Sequence, residues 1–271
     1  MSKALGQRLG RVFRPNRPNR QGCLSILSSL SPLNPENNLT MPLMPQPWTA
    51  VIPLRAGSKG LPGKNTRLLA GKPLYQHAVD TALEAGAQRV ILATDISEVL
   101  SASLPPAVHA IQRPSDLCGD AVPMAPVLSH ALQLAACSGT VVLLQATSPM
   151  RKAVDIQAAL RVFATGQHDL VMSVTKADRG VLKWGRLDGD RFLPLSDPSY
   201  CFANRQSLPP VVRPNGAVYV MNAEWFLKFG SFVSERIGVV QMSVERSLDI
   251  DTLADFERCE AALASQIKGN K

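Results

Sequence analysis

Val51-Ile-Pro-Leu-Arg-Ala-Gly-Ser-Lys-Gly-Leu-Pro-Gly-Lys-Asn65 is the stretch from which the fold is read. Its opening is apolar (Val51, Ile52, Leu54) and reads as a buried strand. The strand breaks into a loop that holds three glycines, Gly57, Gly60 and Gly63, and three cations, Arg55, Lys59 and Lys64. Glycine lets backbone N–H groups approach an anion closely, and Lys and Arg supply the counter-charge. A strand that opens into such a loop near the start of an open α/β sheet is a common seat for phosphate. The two best-known phosphate motifs are both absent from the stretch. Five residues rather than four separate Gly57 from Gly63, Asn65 follows Lys64 where Ser or Thr would be needed, and there is no G-x-G-x-x-G. Taken alone, the stretch also fits a basic, flexible surface loop.

Outward from this loop, the chain alternates short apolar runs with amphipathic stretches. Strands are expected at about 50–55, 89–93, 108–112, 140–145 and 170–174. Helices are expected at about 73–86, 97–103, 122–136 (its regular part after Pro126) and 154–164. Continuous apolar strands separated by helices predict an α/β fold: a Rossmann-like, mostly parallel sheet flanked by helices on both faces. Such sheets bind ligands beyond the carboxyl ends of their strands. Polar groups cluster at those expected ends: Arg55 and its loop, Thr94-Asp95, Arg113, and Gln145 with Thr147-Ser148.

After Val174 the rhythm changes. A hairpin is expected around Asp188-Gly189-Asp190, followed by an irregular, proline-rich stretch over 194–214, and together they form an insert over about 178–214. Strands at 217–221 and 237–242, a helix at 223–229, a last short strand at 248–251 and a closing helix from Thr252 complete a domain over 49–268.

Bulk properties narrow the class. The chain has 271 residues, 45% of them hydrophobic, and no apolar run approaches the roughly 18 residues that span a bilayer. Residues 1–48 carry Lys3, Arg8, Arg11, Arg14, Arg17 and Arg20 against Glu36, a net +5 of the chain's +8. The basic balance therefore belongs mostly to this segment and is weak evidence for nucleic-acid binding by the rest. With 7 of the 21 prolines and no sustained periodicity, residues 1–48 read as a disordered basic extension. An organelle transit peptide and a segment upstream of a true start at Met41 or Met44 both fit that composition, and the second is favoured. Five scattered cysteines without C-x-x-C suggest free thiols in a reducing, cytoplasmic setting and no zinc site.

Asp249 and Asp251 stand two apart on an expected strand, which would place both carboxylates on one face. Such a pair beside phosphate ligands suits Mg²⁺, although Asp251 could equally cap the helix opening at Thr252. Gln145 is a polar end to an apolar strand, better explained by a ligand. Lys183, Arg205 and Arg213 in the insert are each ordinary surface cations, or together a site for a carboxylate. His77, His109, His130 and His168 show no spacing for a metal or a triad.

These motifs converge. From about residue 49 to 265 the chain resembles the acylneuraminate cytidylyltransferase family, the CMP-sialic acid synthetases. The resemblance rests on Leu54-Arg-Ala-Gly-Ser-Lys-Gly-Leu-Pro-Gly-Lys-Asn65, Ala93-Thr-Asp95, Arg113-Pro114, Leu144-Gln-Ala-Thr-Ser-Pro-Met-Arg151, Arg213-Pro-Asn-Gly-Ala-Val-Tyr219 and Ser247-Leu-Asp-Ile-Asp251. It implies transfer of CMP from CTP to a nine-carbon 2-keto sugar acid, with release of pyrophosphate. It implies that Arg55, Ser58, Lys59, Lys64 and Asn65 bind the nucleotide, with Arg113 near the cytidine. Gln145, Lys183, Arg205 and Asn215 would serve the sugar acid, and Asp249 and Asp251 would hold Mg²⁺. Arg55, Lys64 and Asp251 would be the catalytic set. The insert would reach across a homodimer and roof the partner's site, and neither nucleic acid nor membrane is implied as a partner. The chain departs from the family at Pro123 and Met124, where small hydroxyl residues are usual beside the nucleotide. A transferase for the eight-carbon acid Kdo or another nucleotide, and a non-catalytic nucleotide-sugar binding protein, are the alternative readings.

Overall fold

A computed structural model describes residues 46–269 of the chain, with side chains described to residue 265. The expected extension lies outside these residues except for its last three. Of those, Trp48 departs from the expectation: its indole is buried and the residue opens the first strand. A large aromatic gains more from the core than an extension could offer it, and its carbonyl accepts the Gln88 N–H at 3.2 Å.

In chain order, β1 (Trp48–Pro53) is followed by the short ribbon β2 (Leu68–Leu69) and β3 (Lys72–Pro73), then α1 (Leu74–Glu84), β4 (Arg89–Thr94), α2 (Ser97–Leu100), β5 (Val108–Gln112), α3 (Met124–Leu134), β6 (Thr140–Leu143), α4 (Ala153–Phe163) and β7 (Leu170–Lys176). The insert contributes β8 (Gly185–Asp188) and β9 (Arg191–Pro194). The chain then closes with β10 (Val212–Asn222), α5 (Ala223–Phe229), β11 (Ile237–Met242) and α6 (Leu253–Gly269). Seven strands form one sheet in the order β11-β7-β10-β6-β1-β4-β5, all parallel in their pairings except β10, which runs antiparallel to both its neighbours.

The period of two along each strand divides the core. Ala50, Ile52, Val90, Leu92 and Val142 face α1 and α4, while Val51, Ile91, Val141 and Leu143 face α3 and α5. Most are fully buried, and each large aliphatic among them contributes about 1.5–3 kcal/mol of transfer free energy. A third cluster is small but decides the site: Leu61 of the glycine loop packs with Leu69, Leu74, Met150, Ile250, Phe256 and Cys259. It fastens the loop after β1 to the segment that carries the two aspartates.

Several expected boundaries move. The expected strand over 248–251 is not part of the sheet; the segment is extended but unladdered, pinned by the Ile250 N–H donating to the Thr147 carbonyl at 2.9 Å. Helix α3 begins at Met124, with Pro126 inside its first turn, where a missing N–H costs nothing. The expected strand to Gln145 is assigned only to Leu143, although the Leu144 N–H still donates to Val51. The insert's irregular stretch is shorter than expected: it holds 3-10 turns at Pro198–Phe202 and Arg205–Ser207, and β10 starts at Val212. The hairpin forms as expected, with Gly189 at φ 61° in its turn.

Candidate active site

The loops leaving β1, β5 and β6 and the segment before α6 enclose a cleft of about 360 Å³ at the carboxyl end of the sheet. Arg55, Ser58, Lys64, Asn65, Arg113, Gln145, Asp249 and Asp251 all line it. Eight residues spread over 197 positions of sequence are thereby brought to one wall or the other.

The glycine loop is shaped from within. Asn65 is buried and donates from Nδ2 to the Arg55 carbonyl at 2.9 Å, which closes the loop on itself. Its far side is held by the Ala56 N–H donating to Asp95 Oδ1 at 2.8 Å. Gly60 lies so close to the Asp251 carbonyl that an added Cβ would stand 2.3 Å from that oxygen. Ser58 is buried with a hydroxyl that has no hydrogen-bond partner. A buried hydroxyl at a cleft wall is costly unless a ligand completes it.

The cations are paired with carboxylates. Lys64 Nζ donates to the Ile250 carbonyl at 2.8 Å and to Asp251 Oδ1 at 3.0 Å, and only 12% of its side chain is exposed. Arg55 pairs with Asp120, and Lys59 Nζ lies 3.1 Å from the other oxygen of the same carboxylate. Arg113 is buried and donates from Nε to the Leu117 carbonyl at 2.8 Å, so it braces the 3-10 turn that follows β5. Burial lowers its pKa, partly offset by nearby Asp95.

The two aspartates differ. Asp251 is exposed, and its side chain does not cap α6: Thr252 and Asp255 form that cap, with Thr252 N–H donating to Asp255 Oδ2 at 2.9 Å and Asp255 N–H to Thr252 Oγ1 at 3.2 Å. Asp249 is half-buried, and its Oδ1 is buried without a partner. Burial raises its pKa, and the neighbouring Asp251 adds to that, against a Thr147 hydroxyl and Lys64 that favour the ionised form. An orphaned carboxylate oxygen beside a second carboxylate fits a divalent cation. Among the described residues no group of three His, Cys, Asp or Glu side chains converges. Two carboxylates completed by substrate phosphates are what Mg²⁺ takes.

Gln145 meets a bulge in β10. The register shifts between Pro214 and Tyr219, and Gly216 sits at φ 77° with its missing Cβ 3.1 Å from Gln145 Oε1. Arg151, fully buried, donates to the carbonyls of Gln145 (3.2 Å) and Ala217 (2.7 Å) and so fixes both sides of that contact; burial lowers its pKa to about 10. Asn215 does not reach the cleft. It is buried behind the bulge, accepting from Ser173 Oγ at 2.6 Å and donating to Ser247 Oγ at 2.9 Å. Lys183 and Arg205 are outside this cleft as well, on the insert, where Arg205 pairs with Asp178 at 2.6 Å. Sequence reading gave no role to Asp120, whose only signal was an acid in the loop ahead of α3, or to Asp95 as a support for the loop. Of the two departures expected beside the nucleotide, Met124 lines the cleft, next to Val122, and Pro123 does not.

Residues 49–182 match the family described as Cytidylyltransferase. The chain is 33% identical over 217 residues to an N-acylneuraminate cytidylyltransferase of Streptococcus agalactiae serotype III (strain NEM316), covering 76% of this chain and 51% of that protein. It thus spans about half the length of the first curated relatives it matches. It is also 33% identical over 226 residues to a CMP-N,N'-diacetyllegionaminic acid synthase of Legionella pneumophila, covering 78% of this chain and 94% of that one. Among solved structures, CMP:2-keto-3-deoxy-manno-octonic acid synthetase complexed with CTP superposes with a TM-score of 0.63 at 19% identity, covering 81% of this chain and 99% of that one, a likeness of fold. The match over nearly the full length of the Legionella protein, together with the motifs assembled around the cleft, places the chain in the acylneuraminate cytidylyltransferase family.

Proposed function

We propose that this chain transfers CMP from CTP to the anomeric hydroxyl of a nine-carbon, sialic-type 2-keto acid and releases pyrophosphate. The observation that carries the reading is the cleft itself, in which the cations Arg55 and Lys64 share one space with Asp249 and Asp251. The names of the relatives, N-acylneuraminate cytidylyltransferase and CMP-N,N'-diacetyllegionaminic acid synthase, support the substrate class.

In this reading Arg55, Lys59 and Lys64 bind the triphosphate, with Ser58 and the backbone of the glycine loop, and Arg113 braces the base side. Gln145 orients the sugar acid. The acceptor oxygen forms the new bond to the α-phosphorus as its proton passes to solvent, while the bond to the departing pyrophosphate breaks. Lys64 and Arg55 neutralise the charge that builds on the leaving group, a role that fixed cations fill without reorganisation. Asp249 and Asp251 would hold Mg²⁺, which when bound supplies further charge stabilisation at the phosphates.

The insert supports a homodimer. Its apolar side chains face solvent in the single chain: Trp184 63%, Leu187 81% and Phe202 93% exposed. A second copy packed there would cover them and bring Lys183 and Arg205 to the partner's cleft, where they would meet the sugar acid's carboxylate. The four cysteines among the described residues are free, and no described helix is long and apolar enough to cross a membrane. Both fit an enzyme of the cytoplasm.

Pyrophosphate release from each of the four common NTPs, paired with a panel of eight- and nine-carbon 2-keto acids, tests the reading. Release with CTP and a nine-carbon acid alone is expected. CTP binding without release in any pairing would favour a non-catalytic nucleotide-sugar binding protein.

A further inference from the structure

Asp120 stands in the loop between β5 and α3 and lines the cleft beside the glycine loop. One of its carboxylate oxygens pairs with the Arg55 guanidinium, and the other lies 3.1 Å from Lys59 Nζ. These are cations that the CTP reading assigns to the triphosphate. A carboxylate with one oxygen on each cation engages the donors that two phosphate oxygens would take. Its side chain is 30% exposed and that of Lys59 87%, so the arrangement can open without disturbing the core. Lys59, with Arg55 adding to it, holds the Asp120 carboxyl below the usual carboxylate range, so the group is anionic at neutral pH.

We propose that Asp120 is a displaceable counter-ion of the phosphate site and a determinant of its specificity. The inference rests on the CTP reading. When no phosphate is bound, Asp120 neutralises Arg55 and Lys59 and holds the loop across the cleft. A ligand that needs both cations must displace it, and the displaced carboxylate then repels the phosphates from the same cleft. A ligand that touches neither cation is indifferent to it. Asp120 thus weakens binding of every ligand that reaches this end of the site, and it hastens the departure of pyrophosphate by reclosing on its cations.

Calorimetric titration of Asp120→Asn and Asp120→Ala with inorganic pyrophosphate, CTP and CMP tests this. Pyrophosphate and CTP should bind both variants about three- to tenfold more tightly than wild type, the scale of one or two partly exposed ion pairs. CMP should bind as before, and the gain should shrink in about 0.5 M salt, where exposed charges are screened. Pyrophosphate should also become a stronger product inhibitor of turnover. Unchanged or weaker pyrophosphate binding in both variants, with wild type binding normally, would overturn the inference alone and make Asp120 a prop for the loop. Failure of wild type to bind CTP or pyrophosphate would overturn the CTP reading and this inference with it.

Discussion

Lys64 Nζ lies 3.0 Å from Asp251 Oδ1, an ion pair between residues 187 positions apart in the chain. It joins the glycine loop to the segment before α6, while the Ile250 carbonyl takes a second Lys64 proton at 2.8 Å. The Asp251 side chain is 73% exposed, so the pair adds under about 1 kcal/mol to stability. On the proposed function, its value lies in holding a cation at the leaving group. Lys64→Ala should lower kcat/KM for CTP by about a hundredfold or more, the scale of one lost charge-stabilising group. Its melting temperature should fall by no more than about 4 °C. Steady-state kinetics beside a thermal melt check both, and a destabilised but fully active variant would make Lys64 a strut.

Gly60 is held to the Asp251 carbonyl by want of a side chain. Gly60→Ala would force a Cβ to within 2.3 Å of a backbone oxygen, which cannot retreat as a flexible side chain would. The loop and the aspartate segment must separate, so the variant should lose about 1–3 kcal/mol of stability and most of its turnover. Gly57 meets nothing within 4 Å, and Gly57→Ala should leave stability unchanged. Denaturant unfolding of the two variants side by side tests the contrast.

The aspartates should report a cation in a measurement independent of turnover. Mg²⁺ added with CTP should raise the melting temperature of wild type above that with CTP alone, because a ligand of the folded state stabilises it. Asp249→Asn and Asp251→Asn should each abolish the Mg²⁺-dependent increment. An increment retained in both variants would remove the pair from the metal site.

Asp255 gives the fold a pH dependence of known sign. The Thr252 hydroxyl and N–H hold its carboxyl below the usual range. A depressed folded pKa contributes stability above the ordinary carboxylate pKa and loses it as pH falls through the lowered value. Asp255→Ala should therefore cost about 1 kcal/mol at neutral pH, and the gap to wild type should close as pH drops below about 4. Melts of the two proteins from pH 7 downward decide it.

Much of the sheet was legible in the sequence because its strands are continuous apolar runs, such as Val141 to Leu144, separated by helices with clear stops. The glycine loop, Gln145 and both aspartates were legible as polar ends to that pattern. The strand expected at 248–251 was not observed, because the spacing of Asp249 and Asp251 satisfies a period of two without any neighbour to pair with. What holds that segment is Ile250 in the cluster with Leu61, a contact between distant residues that no local periodicity encodes. Asn215 looked like a site residue because it sits in a motif, yet its amide is spent on Ser173 and Ser247 beneath the bulge. Asp120 was illegible for a related reason: its partners, Arg55 and Lys59, come from the loop after β1, distant in sequence.

The most direct test of the central claim is ³¹P NMR of wild-type protein with CTP, Mg²⁺ and a nine-carbon 2-keto sugar acid. The account predicts that CTP is replaced by equal amounts of a CMP-sugar diester and pyrophosphate, and that neither forms when the acid is left out. Pyrophosphate without the diester, or CTP left intact with every nine-carbon acid tried, would contradict it.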